Sequence, residues 1–245
     1  MGADTGISWT DHTFNIAWGC EKVSPACKFC YAEVWAKRMG NEVWGKNAPR
    51  KIFGAKHWND PVRWNKVATK EGKRYKVFCS SMCDVFEDHP LIIQELAKLW
   101  PLIKATPMLD WQLLTKRIER VKDSLPADWG NGYENVWIGT TIEDNAYVDR
   151  ADHLRNIPAK VRFVSYEPAL GPLDKLDLTG LDWLIYGGES GPNRRPENLQ
   201  WARDIQARCG PAGVAFFFKQ SSGLKSGTNP HLDGKTYHEF PKETA

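Results

Sequence analysis

Val136-Trp-Ile-Gly-Thr-Thr141 is followed by a helix-prone run over residues 146–156 and then by Val161-Arg-Phe-Val-Ser-Tyr166. Two short apolar runs joined through a helix leave no tight turn to reverse the chain, so the strands are expected to lie parallel. The same unit recurs in both directions. Toward the N-terminus come a strand over 111–115 with a helix over 118–124, and a strand over 76–80 with a helix over 91–104. A strand over 13–18 with a helix over 31–39 comes before these. Toward the C-terminus come strands over 183–186 and 214–219 around a helix over 199–209. Such runs imply a parallel sheet covered by helices. Six to seven units in about 220 residues fit an α/β fold of the parallel (βα) barrel type, partial rather than closed, better than a flat doubly wound sheet. The barrel is expected over 1–220. An insertion over 45–76 is too long for an ordinary connection, and 221–245, rich in Gly, Ser, Pro and Lys, reads as a loop-rich tail.

Composition sets the compartment more than the partner. Of 245 residues, 42% are hydrophobic and 26% charged, as in a folded soluble protein, and a net charge of +3 says little about partners. The first residues lack a basic region followed by an apolar run, and Gly6 stands where myristoylation wants Ser or Thr. No run reaches the ~18 apolar residues of a membrane span. A cytoplasmic protein without a membrane partner is expected. In that reducing setting the six cysteines read as metal ligands, catalytic thiols or core rather than disulfides.

Cys20-Glu-Lys-Val-Ser-Pro-Ala-Cys27-Lys-Phe-Cys30-Tyr31-Ala32 lies between a strand and a helix. Three thiolates in so short a loop can wrap one metal centre. Iron–sulfur clusters usually take four, so three leave one iron open to a substrate or cofactor. A zinc site completed by His12, Cys79 or Cys83 is the rival reading, and three unconnected core cysteines the plainest.

The loop resembles that of the radical S-adenosylmethionine superfamily, with Phe29 as the aromatic residue before the last cysteine. Six residues stand between the first two cysteines, where the common form has three. The chain further resembles an uncharacterised phage- and prophage-associated three-cysteine family related to spore photoproduct lyase. That likeness rests on Gly19-Cys20, the Cys27–Ala32 run, Gln112-Leu-Leu-Thr-Lys116-Arg117, Trp137-Ile-Gly-Thr-Thr141, Tyr186-Gly-Gly-Glu-Ser190-Gly191 and Phe217-Phe-Lys219-Gln220. The resemblance implies a [4Fe-4S] cluster on Cys20, Cys27 and Cys30 and S-adenosyl-L-methionine on its fourth iron. It further implies an electron donor, and reductive cleavage to a 5′-deoxyadenosyl radical that modifies or repairs a nucleic acid base or nucleotide.

Nearly every expected strand ends in polar residues: Ser80, Ser81 and Asp84; Lys116 and Arg117; Thr141 and Glu143; Glu167; and Gly187, Gly188, Glu189 and Ser190. The C-terminal strand ends of a parallel barrel face one mouth, where active sites lie. Apart from Lys116 and Arg117, these residues are the expected contacts of a zwitterionic nucleoside cofactor, with Ser80–Asp84 nearest its amine. Each is also an ordinary strand-to-loop transition. Cys83 reads as a hydrogen-atom donor or, equally, as a buried small hydrophobe.

Residues 46–76 carry ten Lys and Arg against Asp60 and Glu71, interleaved with Phe53, Trp58, Trp64 and Tyr75. Lys51, Arg63, Trp58, Trp64, Lys116 and Arg117 are expected to meet nucleic acid, cations on phosphates and aromatics on bases. A solvated insertion anchored by its tryptophans explains the same composition. A zinc-stabilised nucleic-acid-binding module, or a radical enzyme acting on a small metabolite or peptide, are the alternative functions.

Overall fold

The computed structural model describes residues 5–242. In chain order its strands are β1 (His12–Phe14), β2 (Ala17–Trp18), β3 (Lys51–Ile52), β4 (Tyr75–Cys79), β5 (Leu109–Thr115), β6 (Val136–Thr141), β7 (Val161–Tyr166), β8 (Trp183–Gly187) and β9 (Ala215–Gln220). The helices are α1 (Tyr31–Arg38), α2 (Ala55–Trp58), α3 (Asp60–Glu71), α4 (Pro90–Ala105), α5 (Val121–Ser124), α6 (Asp149–Arg155) and α7 (Leu199–Ala212). Seven parallel strands follow the order β1-β4-β5-β6-β7-β8-β9, while β2 and β3 form a separate antiparallel pair. The order ends at β1 and β9, so the expected partial parallel (βα) barrel is the observed class. No helix among the described residues is long and apolar enough to cross a membrane.

The chain divides into two compact units, Met1–Ile138 with Pro158–Lys160, and Gly139–Ile157 with Val161–Ala245. In the first, Thr13, Phe78 and Gln112 stand side by side on one face of β1, β4 and β5, and His12, Val77 and Trp111 on the other. The insertion covers this second face. Trp64 of α3 stacks on His12 at 4.4 Å, and His57 of α2 stacks on Phe14 at 4.6 Å. α4 starts at Pro90, where the missing N–H costs nothing, with the His89 ring accepting from the Leu91 N–H at 3.2 Å. It buries Ile92, Leu96, Leu99 and Ile103, the periodic stripe that makes it a cover.

In the second unit Phe163, Trp183 and Phe217 share one face of β7, β8 and β9, and Tyr166, Tyr186 and Phe218 the other. α7 buries Ala202, Ile205 and Cys209. The tail is not all loop. The Phe218 N–H donates to the Tyr237 carbonyl at 2.8 Å, the Glu239 N–H to the Phe216 carbonyl at 3.2 Å, and His238 lies flat on Phe217 at 4.4 Å. Residues 237–239 thus pair with the outer edge of β9, which would otherwise be an open template.

Candidate active site

In the first unit the cysteine loop is tied down at both ends. Gly19 has φ +116°, and a Cβ there would lie 2.3 Å from the Val43 carbonyl oxygen. Only glycine lets the chain turn so close to residue 43 before Cys20. The Gly45 N–H then donates to the Cys20 carbonyl at 3.0 Å. Cys27 closes a 3-10 turn, and Cys30 is the N-cap of α1, where the helix end favours a thiolate. All three cysteines are half-buried. Burial pushes the Cys20 thiol up, with Asp84 adding and Arg117 opposing. Burial also raises Cys30, with Lys116 among the groups opposing it.

Arg117 organises this end. One guanidinium nitrogen lies 3.7 Å from Cys20 Sγ and 3.0 Å from Asp84, and the other donates to the Glu21 carbonyl at 2.9 Å. Burial works against its charge, but Asp84, Cys20 and Glu87 outweigh burial and hold its pKa above the ordinary value. Asp84 is fully engaged by the chain itself. It accepts from the Thr115 hydroxyl at 2.7 Å, the Phe86 N–H at 3.0 Å, the Lys116 N–H at 3.2 Å and Arg117. Its geometry is that of a positioning carboxylate. Ser81 accepts from the Asn15 side chain at 3.0 Å, and Ser80 is buried beside Cys79, 3.3 Å between Oγ and Sγ. Cys83 is half-buried, and desolvation pushes its pKa up despite an opposing hydrogen bond with Ser80. It stays an S–H at ordinary pH.

The donor chemistry is the kind an iron–sulfur cluster takes, three thiols on one loop with Arg117 beside Cys20 and Lys116 near Cys30, but the three thiols are not gathered into a metal site. Among the described residues no group of three or more His, Cys, Asp or Glu side chains is arranged to hold a metal ion. The rival zinc completion gains nothing from His12, packed between Trp64 and Tyr75, nor from the fully buried Cys79.

The strand ends of the second unit form their own polar array. Glu143 and the Thr141 carbonyl both accept from Arg150, at 2.9 and 2.8 Å. The other Glu143 carboxylate oxygen is buried without a partner. Glu167, directly after β7, and Lys219 on β9 meet at 2.6 Å. The missing side chain of Gly187 leaves Glu167 room, since a Cβ there would lie 3.0 Å from its carboxylate. Oε1 of Glu167 is likewise buried and unpartnered. Buried polar atoms left unpaired mark places for a water or a ligand donor. Gly188 sits against the 220s loop, where a Cβ would lie 2.2 Å from the Ser222 nitrogen. Glu189 is gripped by Arg195 at 2.9 and 2.5 Å, and Ser190 bridges to Gly223.

The expected nucleic-acid contacts are only partly presented. Trp58 and Trp64 are both half-buried and packed on the sheet through Phe14 and His12. Lys51 lies over the Trp18 ring and reaches Asn41 at 3.0 Å, and Arg63 pairs with Asp60. Arg117 is buried in the cysteine-loop network. Sequence reasoning missed Arg50, Glu87 and Lys219 as site residues, because each acts through a partner distant in the chain, and it missed Arg150, which turns back from α6 onto Glu143 and the Thr141 carbonyl. It also missed the role of Gln112, whose amide is fully buried with both polar atoms unpaired. Its place in the Gln112–Arg117 motif was the signal.

Two solved structures share the fold. A cysteine-to-serine mutant of spore photoproduct lyase aligns with TM-score 0.53 at 15% identity, covering 85% of this chain and 63% of that one. Spore photoproduct lyase complexed with a dinucleoside spore photoproduct aligns at 0.52 and 14% identity, covering 84% and 62%. The chain therefore spans less than two thirds of either, and at this identity the likeness is one of fold. A search of curated proteins finds no match. The family model described as "Protein of unknown function (DUF5131)" matches residues 4–241, and the chain belongs to that family.

Proposed function

We propose that this protein is a radical S-adenosylmethionine enzyme acting on a nucleic acid base or nucleotide. The observation that carries the reading is the Cys20–Cys30 loop, with Arg117 set 3.7 Å from Cys20 Sγ by Asp84. It lies beside the C-terminal ends of parallel strands, where such folds put their chemistry. When bound, the cluster and S-adenosylmethionine would supply a 5′-deoxyadenosyl radical for hydrogen abstraction. The chain's own residues hold, orient and shield. Cys20, Cys27 and Cys30 would bind three irons, and Arg117 would offset their charge. In the second unit the orphaned oxygens of Glu143 and Glu167 would accept from ligand hydroxyl or amine groups, beside Thr141 and Gly187–Ser190. Cys83, kept as a neutral thiol, has the form needed to return a hydrogen atom to a substrate radical.

The substrate class draws support from the solved relative that holds a dinucleoside photoproduct. Anaerobically purified protein is expected to contain iron and sulfide, and Ala at any of the three cysteines should remove most of the iron. With dithionite and S-adenosylmethionine it should release 5′-deoxyadenosine, faster when the right DNA, RNA or nucleotide is present. Stoichiometric zinc without sulfide would end the catalytic reading.

A further inference from the structure

Helix α3 carries its positive charge along one line. At about 100° per residue, Arg63, Lys66 and Lys70 fall within roughly 60° of arc. That arc lies opposite Pro61 and Ala68, the residues the helix buries. All three cations are exposed, Arg63 over 67% of its side chain, and Lys73 is exposed just past the Gly72 cap. The carboxylates of the helix are already engaged, Asp60 by Arg63 and Glu71 by the Tyr75 hydroxyl. Among the described residues the side chains of Lys66 and Lys70 have no ion-pair or hydrogen-bond partner. Like charges three and four residues apart repel on a helix. Lys70 gains a little from the helix C-terminus, but Lys66, at mid-helix, gains nothing.

The aromatic rings of the same segment face the other way. Trp64 lies flat on His12 at 4.4 Å, Tyr75 meets His12 edge-on at 5.2 Å, and Trp58 meets Phe14 edge-on at 5.3 Å. The ridge therefore presents charge without a ring. Proteins that grip single strands combine charge with stacking rings, whereas a bare cationic ridge suits a backbone whose bases are already paired. Its length fits as well. Arg63 to Lys70 spans ~10 Å at 1.5 Å per residue, and one strand of a duplex carries a phosphate every ~3.4 Å. Three cations thus face about three phosphates. A membrane-surface helix would turn an apolar face to the lipid, but the apolar face of α3 is spent on the sheet, and the outer side adds only Val67, 46% exposed.

We propose that the outer ridge of α3 holds the phosphate backbone of a nucleic acid duplex, so that the substrate is a base within a paired polymer rather than a free nucleotide. This rests on the function proposed above for the nucleic acid substrate alone, and on none of its radical chemistry. The contact is sequence-independent, and each cation that meets a phosphate releases a condensed counterion.

The test is anisotropy of a short labelled duplex, of DNA and of RNA, titrated at rising salt without S-adenosylmethionine or reductant. Lys66→Gln/Lys70→Gln should weaken binding roughly tenfold at low salt and flatten the log–log salt slope by about 1.8. Its melting temperature should match or exceed the wild type's, since a like-charge pair is gone. Lys66→Arg/Lys70→Arg keeps both charges and should keep the slope. Lys225→Gln/Lys235→Gln, which removes two exposed cations of the tail, should keep it too. A ridge-dependent slope on either duplex carries the proposal. Equal slopes in wild type and the Lys66→Gln/Lys70→Gln variant overturn it, and so does an equal loss in the tail variant, which would make binding a matter of net charge. Tighter binding of the unpaired strand than of the duplex overturns the assignment to paired polymer. Binding to phosphatidylcholine vesicles containing phosphatidylglycerol, with none to duplex, gives the ridge to a membrane. No duplex binding at low salt ends the proposal, and release of 5′-deoxyadenosine on a free nucleotide would then leave the radical reading standing. Ridge-dependent duplex binding by protein without iron and sulfide does the reverse.

Discussion

Arg50 and Glu87 form a buried two-bonded fork, Nε and Nη2 each 2.8 Å from a carboxylate oxygen. Glu87 also accepts from the Glu21 N–H at 2.7 Å, so the fork holds the residue next to Cys20. Removing Glu87 leaves the Arg50 charge buried without a carboxylate, and removing Arg50 leaves Glu87 only its longer ion pair with Arg117 at 3.5 Å. Arg50→Ala or Glu87→Ala is therefore expected to cost about 3–5 kcal/mol. Denaturant titration measures this, and iron retention should fall beside it. A loss below 1 kcal/mol would show that water reaches the pair.

Asp84→Ala removes the acceptor of four donors and frees Arg117 from its place at Cys20. Iron content and melting temperature are expected to drop together. Full iron with weakened S-adenosylmethionine binding would instead mean that the carboxylate meets the ligand directly.

Gly188→Ala puts a methyl group against a backbone nitrogen rather than a flexible side-chain tip, so the 220s loop must move. Overpacking of this kind costs about 1–3 kcal/mol. Amide exchange should accelerate at Gly223, whose N–H donates to the Glu189 carbonyl at 3.3 Å. Unchanged protection there would refute the close packing of the two loops.

Acidification should loosen the tail. Burial, then His231, lowers the His238 pKa below 6.5. The unfolded chain binds the proton first, so this contribution is present above about pH 6.5 and is lost as pH falls through the lowered value. Exchange at the Phe218 amide, corrected for its intrinsic rate, should rise over that range and lose this dependence in His238→Gln. A flat profile in the wild type would contradict it.

The strands were legible because apolar runs such as Val136–Thr141 and Val161–Tyr166 are bounded by turn residues, and both appear with the expected limits. The insertion was not. Its ten cations mask a helix that Asp60-Pro61 starts and Gly72 ends, and its Trp58 and Trp64 read as surface because their partners, Phe14 and His12, are some fifty residues away in the chain. The cysteine loop was readable as spacing alone. Arg117 was visible only as a charge, since no local pattern tells that Asp84 turns it toward Cys20 rather than toward solvent.

The pairing of residues 237–239 with β9 also sets an order of events during synthesis. Until those residues leave the ribosome, the strand that carries Phe216-Phe217-Phe218 has an uncovered edge, and chains emerging side by side on one messenger can zip together there. A chain cut before Tyr237 would keep that edge bare for its whole lifetime, and its yield of soluble protein would reflect crowding of nascent chains more than the stability of the finished fold.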